Sequence, residues 1–136
     1  MRYVSTRDNS KEYSFEDVFI KGLADDGGLY VPQSLKKYNS QELSKLKNLS
    51  YNELSTEIIN QFSSDFIKKE ELLSLVSKSY SSFREKEVVK ISNIGELKLL
   101  ELFHGPTLAF KDVAMQFIGN LYEYYLRKNH KKINIV

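Results

Sequence analysis

The pattern of apolar and polar positions predicts a small α+β start followed by helices. Ser14 precedes the first predicted helix, because its hydroxyl can accept an early backbone N–H and Asp17 is favoured in the first turn. Gly22 can end that helix in a left-handed conformation, and residues 29–32 form a short extended piece. From Ser40 to Phe83 apolar residues recur at helical spacing, with serines placed as N-caps, which predicts two or three packed helices.

The last third of the chain predicts a strand, a helix and a second strand. Residues 87–91 and 96–103 are strand-like, and the turn-forming residues 92–95 between them suit a hairpin or a tight connection. The second run is apolar on both faces, as in a strand of a covered parallel sheet. A helix is predicted to start between Thr107 and Phe110, and residues 133–136 resemble the opening of a further strand parallel to the first. The pattern therefore predicts an α/β fold class with an α+β head.

Composition narrows the function classes. With 41% hydrophobic and 28% charged residues among 136, the chain is long enough for one modest domain, or a small domain plus part of another. A net charge of +2 with no basic stripe argues against nucleic acid. No cysteine and only two histidines argue against a metal site. Without an apolar signal or a long apolar run we expect a cytoplasmic protein with no membrane partner.

Lys111 is the strongest candidate for chemistry on physical grounds. It lies beyond a predicted strand end and close to the start of a helix, where ligands of open α/β sheets gather. To act as a nucleophile or base it must lose its proton near neutral pH, which burial against Phe103 and Phe110 and a helix N-terminus would favour. Asp112 opposes this unless it points elsewhere, and spacing alone equally fits an exposed helix lysine. Glu101, inside the apolar run, requires a partner.

Three segments resemble one family. The run LELFHGPTLAFKDVAMQF, residues 100–117, resembles the lysine segment of threonine synthase, above all in its His-Gly-Pro-Thr and Phe-Lys-Asp pieces. The segments YVSTR, residues 3–7, and GLADDGGLYVP, residues 22–32, resemble the N-terminal head of that family. All three occur in the family's order and spacing.

The resemblance implies a fold-type II enzyme that uses pyridoxal 5'-phosphate (PLP). Residues 1–92 would form the N-terminal domain and residues 93–136 the truncated start of the PLP-dependent catalytic domain. The implied reaction converts O-phospho-L-homoserine and water to L-threonine and phosphate, with Lys111 as catalytic lysine and as the cofactor's Schiff-base partner. His104, Thr107 and Asp112 are candidates for the substrate pocket, and a purely structural role is an equal alternative for each.

The family's Gly/Ser/Thr-rich turn, which holds the cofactor phosphate, has no counterpart in these residues. We therefore expect an N-terminal fragment that by itself is inactive and holds PLP weakly or not at all. One alternative is a non-catalytic interaction module whose incomplete sheet pairs with another chain or with itself. The other is a related PLP-dependent phospho-lyase, whose distinguishing residues would lie beyond residue 136.

Overall fold

The structure is a computed structural model and describes residues 1–134. In chain order the helices and strands of this part are β1 (Tyr3–Ser5), α1 (Phe15–Lys21), β2 (Tyr30–Pro32), α2 (Ser40–Leu46), α3 (Tyr51–Ser63), α4 (Lys69–Tyr80), β3 (Lys90–Ile94), β4 (Leu97–Glu101) and α5 (Asp112–Lys128). The chain divides into two compact units. The first comprises residues 1–49 and 53–72, and the second comprises residues 50–52 and the described residues from Leu73 onward. The predicted domain boundary after residue 92 stays a prediction.

The first unit is built around aromatic side chains. β1 pairs antiparallel with β2, with Tyr3 opposite Pro32. Tyr3 is buried, its hydroxyl donates to the Phe62 carbonyl at 2.9 Å, and its ring lies 6.2 Å from that of Phe15. Phe15 in turn lies 5.5 Å from Phe66, between ring centroids. Such aromatic pairs add to the stability that burial provides.

Helix α1 confirms the predicted start and end. Ser14 accepts from the backbone N–H of Asp17, and the Asp17 carboxylate accepts from the backbone N–H of Ser14, which is a capping box. Gly22 follows the helix with φ of 73°. Strand β1 was not predicted, because three residues are too short to show a periodicity.

The two N-terminal segments of the resemblance meet around Asp26. The Asp26 carboxylate accepts from the Ser5 hydroxyl and the Gly28 N–H, both at 2.8 Å, and the Arg7 guanidinium donates to the Asp26 carbonyl at 3.0 Å. A Cβ atom at Gly28 would lie 2.3 Å from the Ser5 hydroxyl oxygen, so only glycine fits there. These polar residues therefore stabilise the strand pair and its turn.

Residues 40–83 contain helices α2, α3 and α4, which confirms the predicted two or three helices in this range. The N-cap of α2 is Asn39 rather than Ser40. Asn39 accepts from the backbone N–H of Glu42 at 2.9 Å, and Glu42 accepts from the backbone N–H of Asn39 at 3.0 Å. This reciprocal pair satisfies two otherwise free donors, which explains the one-residue shift.

In the second unit α5 carries the buried side chains Phe117, Leu121 and Tyr125. The Tyr80 hydroxyl, from the end of α4, donates to the Val113 carbonyl at 2.9 Å. Burial raises the pKa of Tyr80 well above its usual range, as expected for a phenol held in its neutral form. The helix predicted to start between Thr107 and Phe110 starts two residues later, at Asp112.

The strands differ in detail from the prediction. β3 and β4 form an antiparallel hairpin, as the turn-forming cluster suggested, but the turn is Gly95-Glu96 and residues 92–94 belong to β3. Gly95 has φ of 62°, which suits the first position of a two-residue hairpin turn. In the described part of the chain β4 pairs only with β3. Of the strand predicted at residues 133–136, Ile133 and Asn134 form no strand, and the other two residues lie outside the described part.

Candidate active site around Lys111

Lys111 is the N-cap residue of α5, with φ of −62° and ψ of −22°. Its carbonyl accepts from the Met115 N–H at 2.8 Å, so the backbone of Lys111 is fixed by the first helical turn. Its side chain is exposed, and within residues 1–134 its amine forms no hydrogen bond or ion pair. The predicted position next to a helix start is confirmed.

An apolar cavity of about 330 Å³ lies beside Lys111. Its other lining residues are Leu102, Phe110, Val113, Ala114 and Met115. Phe103 and Phe110 are 51% and 64% exposed, so the expected burial of the lysine amine against these rings is absent in this structure. The cavity nevertheless places an apolar wall next to the lysine side chain.

Asp112 points away from the lysine amine. It is buried, and its Oδ2 atom accepts from the backbone N–H of Thr107 at 2.8 Å and from the Thr107 hydroxyl at 2.9 Å. Gln116 donates to Oδ1 at 3.2 Å. Burial acts to raise the pKa of Asp112, but these hydrogen bonds together outweigh it and hold this pKa below its usual range. Asp112 is therefore an anion that Thr107, rather than Lys111, satisfies.

The loop between β4 and α5 is tightly formed. Gly105 is buried, and a Cβ atom there would lie 2.3 Å from the Asp112 Cβ and 2.5 Å from its Oδ2. The Gly105 carbonyl accepts from the Leu108 N–H at 3.2 Å, and Leu108 takes φ of 64°, which few residues other than glycine adopt. The turn before Lys111 is thus held in a less favourable backbone conformation by its hydrogen bonds.

The other end of the loop is fixed through His104. Its Nε2 atom lies 2.7 Å from Oε2 of Glu101, and its carbonyl accepts from the Arg84 N–H at 2.9 Å. The second oxygen of Glu101 accepts from the Ser92 hydroxyl. Glu101 thus has the partners that its place in an apolar run required.

The structure brings three of the four predicted site residues into two pairs. Thr107 pairs with Asp112 and His104 pairs with Glu101, whereas no hydrogen bond joins Lys111 to any of them. The role of Ser92 as a partner of Glu101 was not predicted, because a serine within a turn-forming cluster indicates a turn. Its place on the same face as Glu101, two positions diagonally across the hairpin, follows only from the register.

Two further findings concern the described residues alone. No group of three or more His, Cys, Asp or Glu side chains is arranged to hold a metal ion between residues 1 and 134. None of the helices in that range combines the length and the apolar character needed to cross a bilayer.

Comparison with known proteins decides the family. The sequence model described as "Threonine synthase N terminus" matches residues 2–80, more than half of the chain. The chain belongs to the threonine synthase family. Its mixed helix and strand fold is likewise that of the matching region of a threonine synthase. The crystal structure of PLP-bound threonine synthase from Brucella melitensis superposes with a TM-score of 0.91 at 36% identity, over 97% of this chain and 29% of that one.

Relatives match along nearly the whole chain. Threonine synthase of Schizosaccharomyces pombe is 44% identical over 133 residues, which is 96% of this chain and 26% of that protein. A protein named threonine synthase-like 2 from Pongo abelii is 38% identical, over 100% of this chain and 28% of that protein. The chain therefore spans between a quarter and a third of the length of these threonine synthase relatives.

Proposed function

We propose that this chain supplies the cofactor-binding lysine of a PLP-dependent threonine synthase. The whole protein would convert O-phospho-L-homoserine and water to L-threonine and phosphate, in the cytoplasm and with a fold-type II catalytic domain. The observation that carries the proposal is the free amine of Lys111, beside an apolar cavity, on a loop that two carboxylates hold in place.

The residues around Lys111 fit PLP. A primary amine without a carboxylate partner is the group that the cofactor's aldehyde requires, and the side chains of Phe110 and Met115 give an apolar surface for its ring. PLP supplies an electron sink for the bonds of the bound amino acid. Lys111 would bind the cofactor, and its amine would then move protons at the α and β carbons of the substrate.

The three neighbouring residues have an orienting role in this proposal. Asp112 and Thr107 fix the turn directly before Lys111, and His104 fixes the start of the same loop. An alternative role for each of these residues, His104, Thr107 and Asp112, is direct contact with the substrate in its pocket. Residues 1–136 alone are expected to hold PLP weakly and to form no threonine.

A chimera tests the proposed function. Residues 1–136 would replace the matching quarter of the Schizosaccharomyces pombe relative, with which they share 44% identity. The chimera is expected to bind PLP, to absorb visible light and to release phosphate and threonine from phosphohomoserine. The same chimera with Lys111→Ala should lose both the absorption and the activity. An active Lys111→Ala chimera would refute the role of Lys111.

A non-catalytic interaction module is the second candidate, because both faces of the β3–β4 hairpin carry exposed apolar residues. Leu97 is 73% exposed and Ile91 is 63% exposed. Uncovered strands of this kind pair readily with another chain, including a second copy. A third candidate is a related PLP-dependent phospho-lyase, which residues 1–134 do not distinguish from a threonine synthase. Product analysis of the full-length protein separates the phospho-lyase from the threonine synthase. A threonine synthase forms threonine, whereas the phospho-lyase removes phosphate without adding the new hydroxyl.

A further inference from the structure

Glu101 is a charged residue with little exposure, unlike Lys98, the exposed charged residue of the same strand β4. The side chains of Glu101 and His104 are only 14% and 13% exposed, and Glu101 is the last residue of β4. Burying a charged group costs free energy unless hydrogen bonds satisfy it. Its two oxygen atoms meet this requirement with one partner each, Ser92 at Oε1 and His104 at Oε2.

The charge state of Glu101 fixes the direction of both hydrogen bonds. The hydrogen bond from Ser92, followed by that from His104, lowers the pKa of Glu101, so the side chain is a carboxylate at neutral pH. A carboxylate only accepts hydrogen bonds. The Nε2 atom of His104 must therefore carry a proton and donate it to Glu101.

The hydrogen-bonded pair of Glu101 and His104 joins the β3–β4 hairpin to the loop that ends at Lys111. Ser92 belongs to β3, Glu101 ends β4, and His104 begins the loop. The backbone of His104 is held as well, because its carbonyl accepts from the Arg84 N–H at 2.9 Å. If the His104 side chain lost Glu101, this backbone hydrogen bond from Arg84 would still hold the start of the loop, but the link from His104 to the hairpin would be gone.

We propose that Glu101 is a positioning residue for Lys111, acting through His104 to fix the start of the loop that presents the lysine amine. The proposal rests on the proposed function, in which Lys111 binds PLP. It adds Glu101 and its support Ser92 to the residues on which that binding depends. Glu101 acts here by accepting hydrogen bonds, so a neutral side chain of the same shape can replace it.

The first arm of the test observes the hydrogen bond directly. In the chain with ¹⁵N-labelled histidine, His104 is expected to show a slowly exchanging imidazole N–H resonance, which exposed His130 lacks. The resonance should persist in Glu101→Gln, whose amide oxygen still accepts, and disappear in Glu101→Leu. Glu96→Leu is the matched control, because Glu96 is an exposed carboxylate in the turn of the same hairpin. A wild-type chain without this resonance would overturn the proposal.

The second arm measures the presentation of Lys111. The chimera with the Schizosaccharomyces pombe relative is incubated with PLP, reduced with borohydride, and mapped by mass spectrometry, with exposed Lys98 on β4 as internal reference. Wild type and Glu96→Leu should label Lys111 in preference to Lys98. Glu101→Gln should keep this preference within about twofold, and Glu101→Leu should lower it by about fivefold or more, since a buried donor is left without its acceptor.

The outcomes separate the two proposals. Lys111 labelled no more than Lys98 in the chimera with the unchanged segment would overturn the proposed function and, with it, the role of Glu101. Equal labelling of Lys111 in wild type and Glu101→Leu would overturn the role of Glu101 alone. If Glu101→Leu does not fold, the Ser92→Ala variant is measured instead. Of its two hydrogen-bond partners, Glu101 then keeps His104, so we expect an intermediate loss of Lys111 labelling. Unchanged labelling in Ser92→Ala would count against the proposal in the same way.

Discussion

Thr107 donates two hydrogen bonds to a single carboxylate oxygen of Asp112, one from its backbone N–H at 2.8 Å and one from its hydroxyl at 2.9 Å. Since Asp112 lies in the first turn of α5, this arrangement ties the loop to the helix one residue after Lys111. The negative charge of Asp112 also lies at the positive end of the helix dipole, which favours its ionised form.

Removing the Thr107 hydroxyl should destabilise the chain. Thr107→Val keeps the shape of the side chain and the backbone donor but removes one donor to a buried carboxylate, so we expect the free energy of unfolding to fall by about 1 kcal/mol. Urea denaturation followed by circular dichroism measures it. Thr107→Ser, which retains the hydroxyl, should lose less, and equal losses in the two variants would contradict the assigned hydrogen bond.

The pKa of Asp112 predicts a pH dependence of stability. Because this pKa is lower in the folded chain than in the unfolded one, the unfolded chain binds the proton first as the pH falls. The stabilisation is present above the ordinary Asp pKa of about 3.8 and is lost as the pH falls through the lower folded value. Urea midpoints at pH 7, 5, 4 and 3 should therefore fall more steeply for wild type than for Asp112→Asn.

Other carboxylates also destabilise the chain as the pH falls. The test therefore compares the pH dependence of the urea midpoint in wild type with that in Asp112→Asn. Those with lowered pKa values are Asp8, Asp17, Asp26, Glu42, Glu101 and Glu123. They are present in wild type and in Asp112→Asn alike. Parallel pH profiles for the two proteins would show that Asp112 is not stabilised as an anion.

Two glycines of the second unit should respond in opposite directions to alanine. Gly105→Ala places a methyl group against the Asp112 side chain, which its hydrogen bonds hold in place. We expect this overpacking to lower the free energy of unfolding by about 1–3 kcal/mol. Gly119 lies in the interior of α5 with no atom within 4 Å of an added Cβ. Gly119→Ala should therefore raise stability by about 0.5–1 kcal/mol through helix propensity. Thermal unfolding of both variants tests this, and a neutral Gly105→Ala would mean that the loop can move.

The exposed face of the β3–β4 hairpin should drive self-association. Ile91 and Leu100 are opposite each other in the register and are 63% and 53% exposed. We expect the apparent mass from light scattering to rise with concentration, and to rise less when both are replaced by Thr. Replacing Leu23 and Leu35, which are 62% and 65% exposed outside the hairpin, is the control. A wild-type chain that stays monomeric at high concentration would argue against the interaction module.

Local sequence signals predicted the parts of the fold that local interactions determine. The capping residues of α1, the helices between residues 40 and 83, and the position of Lys111 beside a helix start were all predicted. The turn of the hairpin was misplaced, because Ser92 and Asn93 are typical turn residues and only cross-strand pairing puts them in β3. The carboxylate partners around Lys111 depend on contacts between residues in different elements, so Glu101 could be identified as needing a partner but Ser92 could not.

The loop from His104 to Lys111 has hydrogen bonds at both ends, and Leu108 within it has φ of 64°. Fixing the backbone of one residue costs about 1–2 kcal/mol in conformational entropy. Folding has already met that cost for this loop, so a molecule that reacts with the Lys111 amine need not order the backbone as it binds. The loop is in this sense preorganised, and the free energy of binding can be used on the ligand itself.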